Sequence, residues 1–321
     1  MFNHIHVRIP PWVVAYLGVD VFYVLSGFLI TTLMLREDEK TGRISLKAFY
    51  TRRVLRIVPV YYFTILLYFF AVHFQHDVAR IAEYKIALPW LLTFMAEYRP
   101  LAAGNLLGHA WTLAIEEKFY IFWPLLVVLL LPFRGRKVLP LFLLPIVVSF
   151  FRWPLNRSYE ALLIGATLAI ALSTKAHWAW VRRMPAVPDA VLLLFVAVTY
   201  VLNGLTRHYS TLFDAAVALM IASLVLRRGL LRSALENRVL VFVGRRSYAL
   251  YLVHVLMLDA TETYLARWTH LKWLNVMAVA FSLSLALASA MHVAIEVPCI
   301  AVGRRLSRRF AHSEPVSQAV S

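Results

Sequence analysis

The sequence predicts an all-α chain that crosses the membrane many times, and three observations carry that reading. Of 321 residues, 61% are hydrophobic and 16% charged, whereas a soluble domain of this length carries roughly a quarter charged residues. Long apolar runs recur, as at residues 19–35, 59–72, 119–132, 190–202 and 276–295, and a bilayer core needs about 20 apolar residues per helix. Third, Lys and Arg collect in short clusters between these runs. A soluble protein with a greasy helical core would need polar helix faces, which these runs lack.

The basic clusters set the expected topology. Segments 36–56, 134–137, 175–183, 227–246 and the tail from 304 hold 23 of the 33 Lys and Arg, so the positive-inside rule places them in the cytoplasm. The net charge of +16 is thereby explained without nucleic acid, and the lipid bilayer is the expected partner. Spans are expected near 18–35, 59–75, 111–132, 138–151, 159–174, 188–204, 212–226, 247–265 and 275–298, nine in all. The apolar stretch 86–95 is short and contains Pro89, so a re-entrant or interfacial segment is expected there. With these assignments the span at 18–35 enters from outside, although almost no chain precedes it. Either the N-terminus lies outside, or the start is truncated and the first of ten helices is missing. One membrane-embedded domain, 1–310, is expected, with a short polar cytoplasmic tail at 311–321. The single Cys299 excludes an intrachain disulfide and a multi-cysteine metal site, and no metal is expected.

Polar residues inside a membrane cost about 2.5–3.5 kcal/mol each at a helix centre on insertion scales, so each is a candidate for function. Along LGVDVFYVLSGFLITTLM, helical spacing puts Asp20, Gly27 and Thr31 on one face with Ser26 beside it. The competing reading is an interfacial Asp above small residues that allow close helix packing. FYTRRVLRIVPVYY sets Arg52, Arg53 and Arg56 at the inner end of a helix, with Arg52 and Arg56 on one face. They suit a bidentate phosphate clamp, or simply signal topology.

GHAWTLAIEEKFYIFWP is the most informative segment. It sets His109, Trp111, Glu116, Glu117, Lys118 and Tyr120 at the head of an apolar helix. Thr112, Glu116 and Tyr120 fall on one face, with Glu117 pointing elsewhere. The bland alternative is a helix start that favours acids through its dipole. Farther on, Ser247, Tyr251 and His254 share a face, His292 and Glu296 are four residues apart, and Pro298 is expected to end that helix. A membrane histidine can also serve only as a helix–helix hydrogen bond. Histidine is the plausible general base; no P-loop, dinucleotide fingerprint, HExxH or nucleophile elbow is present.

Taken together, LGVDVFYVLSGFLIT, FYTRRVLRIVPVYY, GHAWTLAIEEKFYIFWP, YEALLIGATLA, GRRSYALYLVH and IEVP resemble, in order and across nearly the whole chain, the acyltransferase 3 family of bacterial membrane O-acyltransferases. The resemblance implies a ten-helix bundle in the bacterial cytoplasmic (inner) membrane. It implies acyl-CoA, in particular acetyl-CoA, as donor substrate rather than a permanently bound cofactor. The acceptor it implies is a hydroxyl of a cell-envelope glycan or related molecule. In the family a first helix carries an Arg and, about eleven residues later, a His required for transfer. FNHIH matches the end of that motif, which makes His4 the candidate catalytic base and His6 the second choice; the Arg would precede Met1. Lys118 stands where the family often has Gln.

The expected site follows from both readings. Arg52, Arg53 and Arg56 hold the CoA phosphates, and Glu116 or Asp20 orients His4 or binds acceptor. His109, Trp111, Glu117, Tyr120, Tyr251 and His254 line the substrate path. A transporter or flippase for an acidic or glycan-linked substrate is the competing class, since intramembrane carboxylates and histidines also mark proton relays. It leaves the motif set unexplained, and transporter-like internal repeats are not visible. An inactive truncated copy is the third reading.

Overall fold

In a computed structural model, residues 17–104, 106–130, 156–173, 187–206, 210–266 and 273–313 are described. Their regular elements are all helical: α1 (Leu17–Thr41), α2 (Leu46–Phe74), α3 (Val78–Leu92), α4 (Ala110–Leu130), α5 (Asn156–Ser173), α6 (Asp189–Thr206), α7 (Ser210–Leu226), α8 (Leu230–Leu235), α9 (Arg238–Arg245), α10 (Ser247–Thr261), α11 (Trp273–Met291) and α12 (Val297–Ser313). The chain divides into two compact units. The first takes residues 45–114 and those from 238 on; the second takes those up to 44 and 115–237.

Three helical stretches are long and apolar enough to cross a bilayer: Leu17–Thr41, Leu46–Phe74 and the continuous Asn275–Phe310. A fourth exists if α9 and α10, bent by 74° at their junction, form one broken span. The expected nine clear spans are therefore not reproduced. The stretches expected at 159–174, 188–204 and 212–226 are helical, but their apolar parts run only Ser158–Ser173, Asp189–Leu205 and Thr211–Leu226. Helices that short rise about 24–26 Å against a core of about 30 Å. α4 is longer but carries Glu116, Glu117 and Lys118 in succession. The span expected at 138–151 lies outside the described residues. α3 has 15 residues with Pro89 inside it and is not among the spanning helices, and it begins eight residues earlier than the apolar stretch that pointed to it.

Pro298 does not end its helix, contrary to expectation. A π-turn at His292–Glu296 precedes it, and the chain continues as α12. Proline lacks an N–H and its ring clashes with the carbonyl four residues back; a wider turn moves that carbonyl away and lets the helix run on.

The first unit is tied by polar side chains. Ser45 and Asp77 cap α2 and α3 by accepting from backbone N–H groups one turn on. The Tyr61 and Tyr62 hydroxyls donate to the carbonyls of Leu91 and Leu92 at 2.9 and 2.7 Å, and Tyr84 returns the bond to Ile65 at 3.0 Å. Arg80 of α3 forks onto both carboxylate oxygens of Asp259 of α10 at 2.7 and 2.6 Å and also donates to Gln75. That hydrogen bonding raises the Arg80 guanidinium above its ordinary value, against the effect of its partial burial. α12 packs along α2, and α11 packs against α10.

In the second unit α1 packs chiefly on α5, and α7 packs on α1, α5 and α6. Gly27 and Gly165 make the α1–α5 approach possible. A Cβ on Gly27 would overlap the Leu162 carbonyl, and one on Gly165 would overlap the Val24 carbonyl. The two glycines face each other's helices reciprocally, so backbone meets backbone.

Candidate functional site

The structure gathers the candidate residues into separate groups. In the first unit His109 immediately precedes α4 and is 5% exposed. Its Nε2 lies 3.2 Å from the carbonyl of Leu252 in α10. Thr112, one turn into α4, places its hydroxyl 2.6 Å from that of Tyr251, and both hydroxyls lie within 3.0 Å of the His109 carbonyl. His254 Nδ1 lies 2.5 Å from the Tyr251 carbonyl. The His254 ring is 5.0 Å from that of His109, and His109 meets Tyr251 edge-on at 5.3 Å. Segments 139 residues apart therefore meet in one polar cluster. Tyr248 fastens α10 to α2 by donating to the Ile57 carbonyl at 2.9 Å.

In the second unit the Tyr120 hydroxyl donates to Glu116 Oε1 at 2.6 Å, and Ser26 of α1 bonds the same Tyr120 oxygen. With the tyrosine proton on Glu116, Ser26 is the donor to Tyr120, and a directed chain runs Ser26, Tyr120, Glu116. Thr31, one turn beyond Gly27, accepts from the Trp123 indole at 2.8 Å. The sequence placed Glu116 and Tyr120 on one face and Ser26 beside the α1 stripe, but spacing within each helix gives no cross-helix register, so their contact is new. Asp20 and Glu117 are half-buried, and so is Trp111 in the first turn of α4. Lys118 heads an apolar groove of about 490 Å³ with Phe119, Phe122, Trp123, Tyr159 and Leu163.

Arg52, Arg53 and Arg56 lie in the N-terminal half of α2. Arg52 is half-buried and Arg56 exposed, while the Arg53 guanidinium lies over the Phe49 ring, 5.7 Å from its centroid. His4 and His6 fall outside the described residues. His292 Nδ1 lies 2.7 Å from Glu296 Oε2, as their spacing suggested, and Glu296 is 3% exposed. The Arg80–Asp259 pair was not anticipated, because residues 179 apart share no local pattern. Among the described residues no three His, Cys, Asp or Glu side chains converge as a metal site would require.

No solved structure matches the chain. A Staphylococcus aureus (strain COL) protein, SACOL0978, provisionally named an O-acetyltransferase, is 29% identical over 284 residues, covering 78% of this chain and 47% of its own length. The O-acetyltransferase OatA of S. aureus (strain NCTC 8325) is 30% identical over 288 residues with the same coverage. The chain thus spans about half the length of the curated relatives it matches. The acyltransferase domain family matches residues 1–292, nine-tenths of the sequence, and this chain belongs to that family, acyltransferase 3.

Proposed function

We propose that this chain moves a short acyl group, acetyl in the first instance, from acyl-CoA to a hydroxyl of a glycan or related acceptor at the bacterial cytoplasmic membrane. The observation that carries the reading is the meeting of two of the family-like motifs, GHAWT and YALYLVH, in the partly buried His109–Thr112–Tyr251–His254 cluster. The names of the S. aureus relatives supply acetyl as the group and oxygen as the acceptor atom.

In the proposed reaction neutral His4 takes the acceptor hydroxyl proton as the oxygen attacks the thioester carbonyl. The C–S bond then breaks, and the CoA sulfur leaves and takes up a proton. The Tyr251 and Thr112 hydroxyls, with His109 and His254 beside them, present a polar surface to the acceptor's hydroxyls. Glu116, its carboxylate oriented by Tyr120, binds a second acceptor hydroxyl or steadies the base. Arg52 and Arg56 hold CoA phosphates. Holding both substrates in one place supplies much of the rate.

The test is acyl transfer from radiolabelled acetyl-CoA in membranes carrying this chain, its His4→Ala variant and its Glu116→Gln variant. Label should reach an envelope glycan with the parent, fall about a thousandfold with His4→Ala, within the usual reach of a general base, and fall less with Glu116→Gln. Full transfer by His4→Ala would remove His4 from the mechanism and move the base to His6 or His254.

A further inference from the structure

Two basic stretches that lie about 250 residues apart in sequence run side by side in the fold. α2 carries Lys47, Arg52, Arg53 and Arg56, α12 carries Arg304, Arg305, Arg308 and Arg309, and neither helix contains an acid. Gly303 faces Leu55 and Thr51, with space for a Cβ only 3.3 Å from Leu55 Cβ. One end farther along, the Lys47 ammonium lies 4.3 Å from the Phe310 ring centroid. Advancing along α12 therefore means retreating along α2: the helices are antiparallel, and their basic ends coincide. Gly303 and Ser307 are buried on the contact face, whereas Arg56, Arg304 and Arg308 are exposed.

Helical geometry then fixes sides. At about 100° per residue, Arg52 and Arg56 lie about 100° and 140° around α2 from Thr51. Arg304 and Arg308 lie at the same angles around α12 from Gly303. For antiparallel helices facing each other, equal rotations in the same sense arrive on the same side of the seam. Arg305, about 200° around, points to the back of α12, and Arg309, about 240° around, falls on the opposite side of the seam. Arg304 stands at the level of Arg52. The Asn275–Phe310 stretch is 36 residues long, about 54 Å at 1.5 Å per residue. Its arginine end therefore projects past an apolar core of about 30 Å.

We propose that Arg304 and Arg308 of α12 join Arg52 and Arg56 of α2 in one four-arginine site, on one side of the α2–α12 seam, for the phosphates of a nucleotide-bearing donor. The proposal rests on the acyl-CoA reading above and extends it. A diphosphate with a third phosphate on the ribose presents several acceptor oxygens spread over about a nanometre. Guanidinium forks from two helices, whose axes lie about 8–10 Å apart when packed, match that spread in bidentate fashion. The side of the seam, not the total charge, carries the specificity.

The experiment measures binding of radiolabelled acetyl-CoA and of its 3′-dephospho form to the full chain in phosphatidylcholine nanodiscs. It compares the parent with Arg304→Gln/Arg308→Gln and with Arg305→Gln/Arg309→Gln. The first pair should weaken acetyl-CoA about tenfold and narrow its advantage over the dephospho form; the second should stay within twofold. Equal losses from both pairs would mean undirected charge attraction and overturn the site, as would no loss from either. A second arm counts phosphatidylglycerol molecules retained by each variant. Loss of retained lipid with unchanged acetyl-CoA binding would make the seam a headgroup site and overturn the proposal. Loss of acetyl-CoA binding by Arg52→Gln/Arg56→Gln, with none by Arg304→Gln/Arg308→Gln, would overturn the extension and leave the donor reading standing. A parent that binds no acetyl-CoA overturns both.

Discussion

The two units hold apolar helices together by different means. In the second, α1 and α5 meet backbone to backbone because Gly27 and Gly165 present no side chain. In the first, α2, α3 and α10 are joined by directed bonds: Tyr61 to Leu91, Tyr84 to Ile65, Tyr248 to Ile57, and Arg80 to Asp259. In lipid, burial of apolar surface gives little drive for helix association, which leaves close packing and interhelical hydrogen bonds to do it. The comparison teaches that one chain uses both, and that the two should break differently.

The largest effect belongs to the glycine contact. Gly27→Ala and Gly165→Ala should each cost about 1–3 kcal/mol, the usual penalty for overpacking, because the atom in the way is a backbone carbonyl. Gly244→Ala, with nothing within 4 Å of a Cβ, is the control in detergent unfolding. Indistinguishable midpoints for the three variants would dismiss backbone contact as the glue of the second unit.

Next comes the ion pair. Arg80 and Asp259 are each 29% exposed, so Arg80→Ala should cost about 2 kcal/mol, below the cost of orphaning a fully buried charge. A double-mutant cycle with Asp259→Ala reads their coupling. Additive losses would show that the two side chains do not support each other.

The smallest effect is that of a single hydroxyl. Tyr248→Phe removes one bond from α10 to α2 and should cost about 1 kcal/mol. Thr31→Val, which takes the acceptor from the Trp123 indole in the second unit, should cost the same or more. A much larger loss for Tyr248→Phe would assign the first unit's cohesion to that one link.

Residue pattern alone sufficed for the helical class, the positions of most helices, and the residues worth watching. Apolar runs and basic clusters are local properties, and the cost of a polar group in lipid makes Glu116, His254 and the arginines conspicuous without a fold. The i, i+4 bond of Tyr120 to Glu116 follows from helical period alone, and the spacing of His292 and Glu296 pointed to their contact, although it closes across a π-turn. The nine expected spans are not confirmed, because α5 to α7 carry apolar stretches of about the expected lengths that fall short of the core thickness, and hydropathy did not foresee that a π-turn carries a helix past Pro298. Which faces meet is settled by the packing of the helices. Ser26 on Tyr120, Thr112 on Tyr251, Arg80 on Asp259 and α12 along α2 depend on the register and direction of helices remote in sequence. The period of one helix holds no information about the rotation of its neighbour.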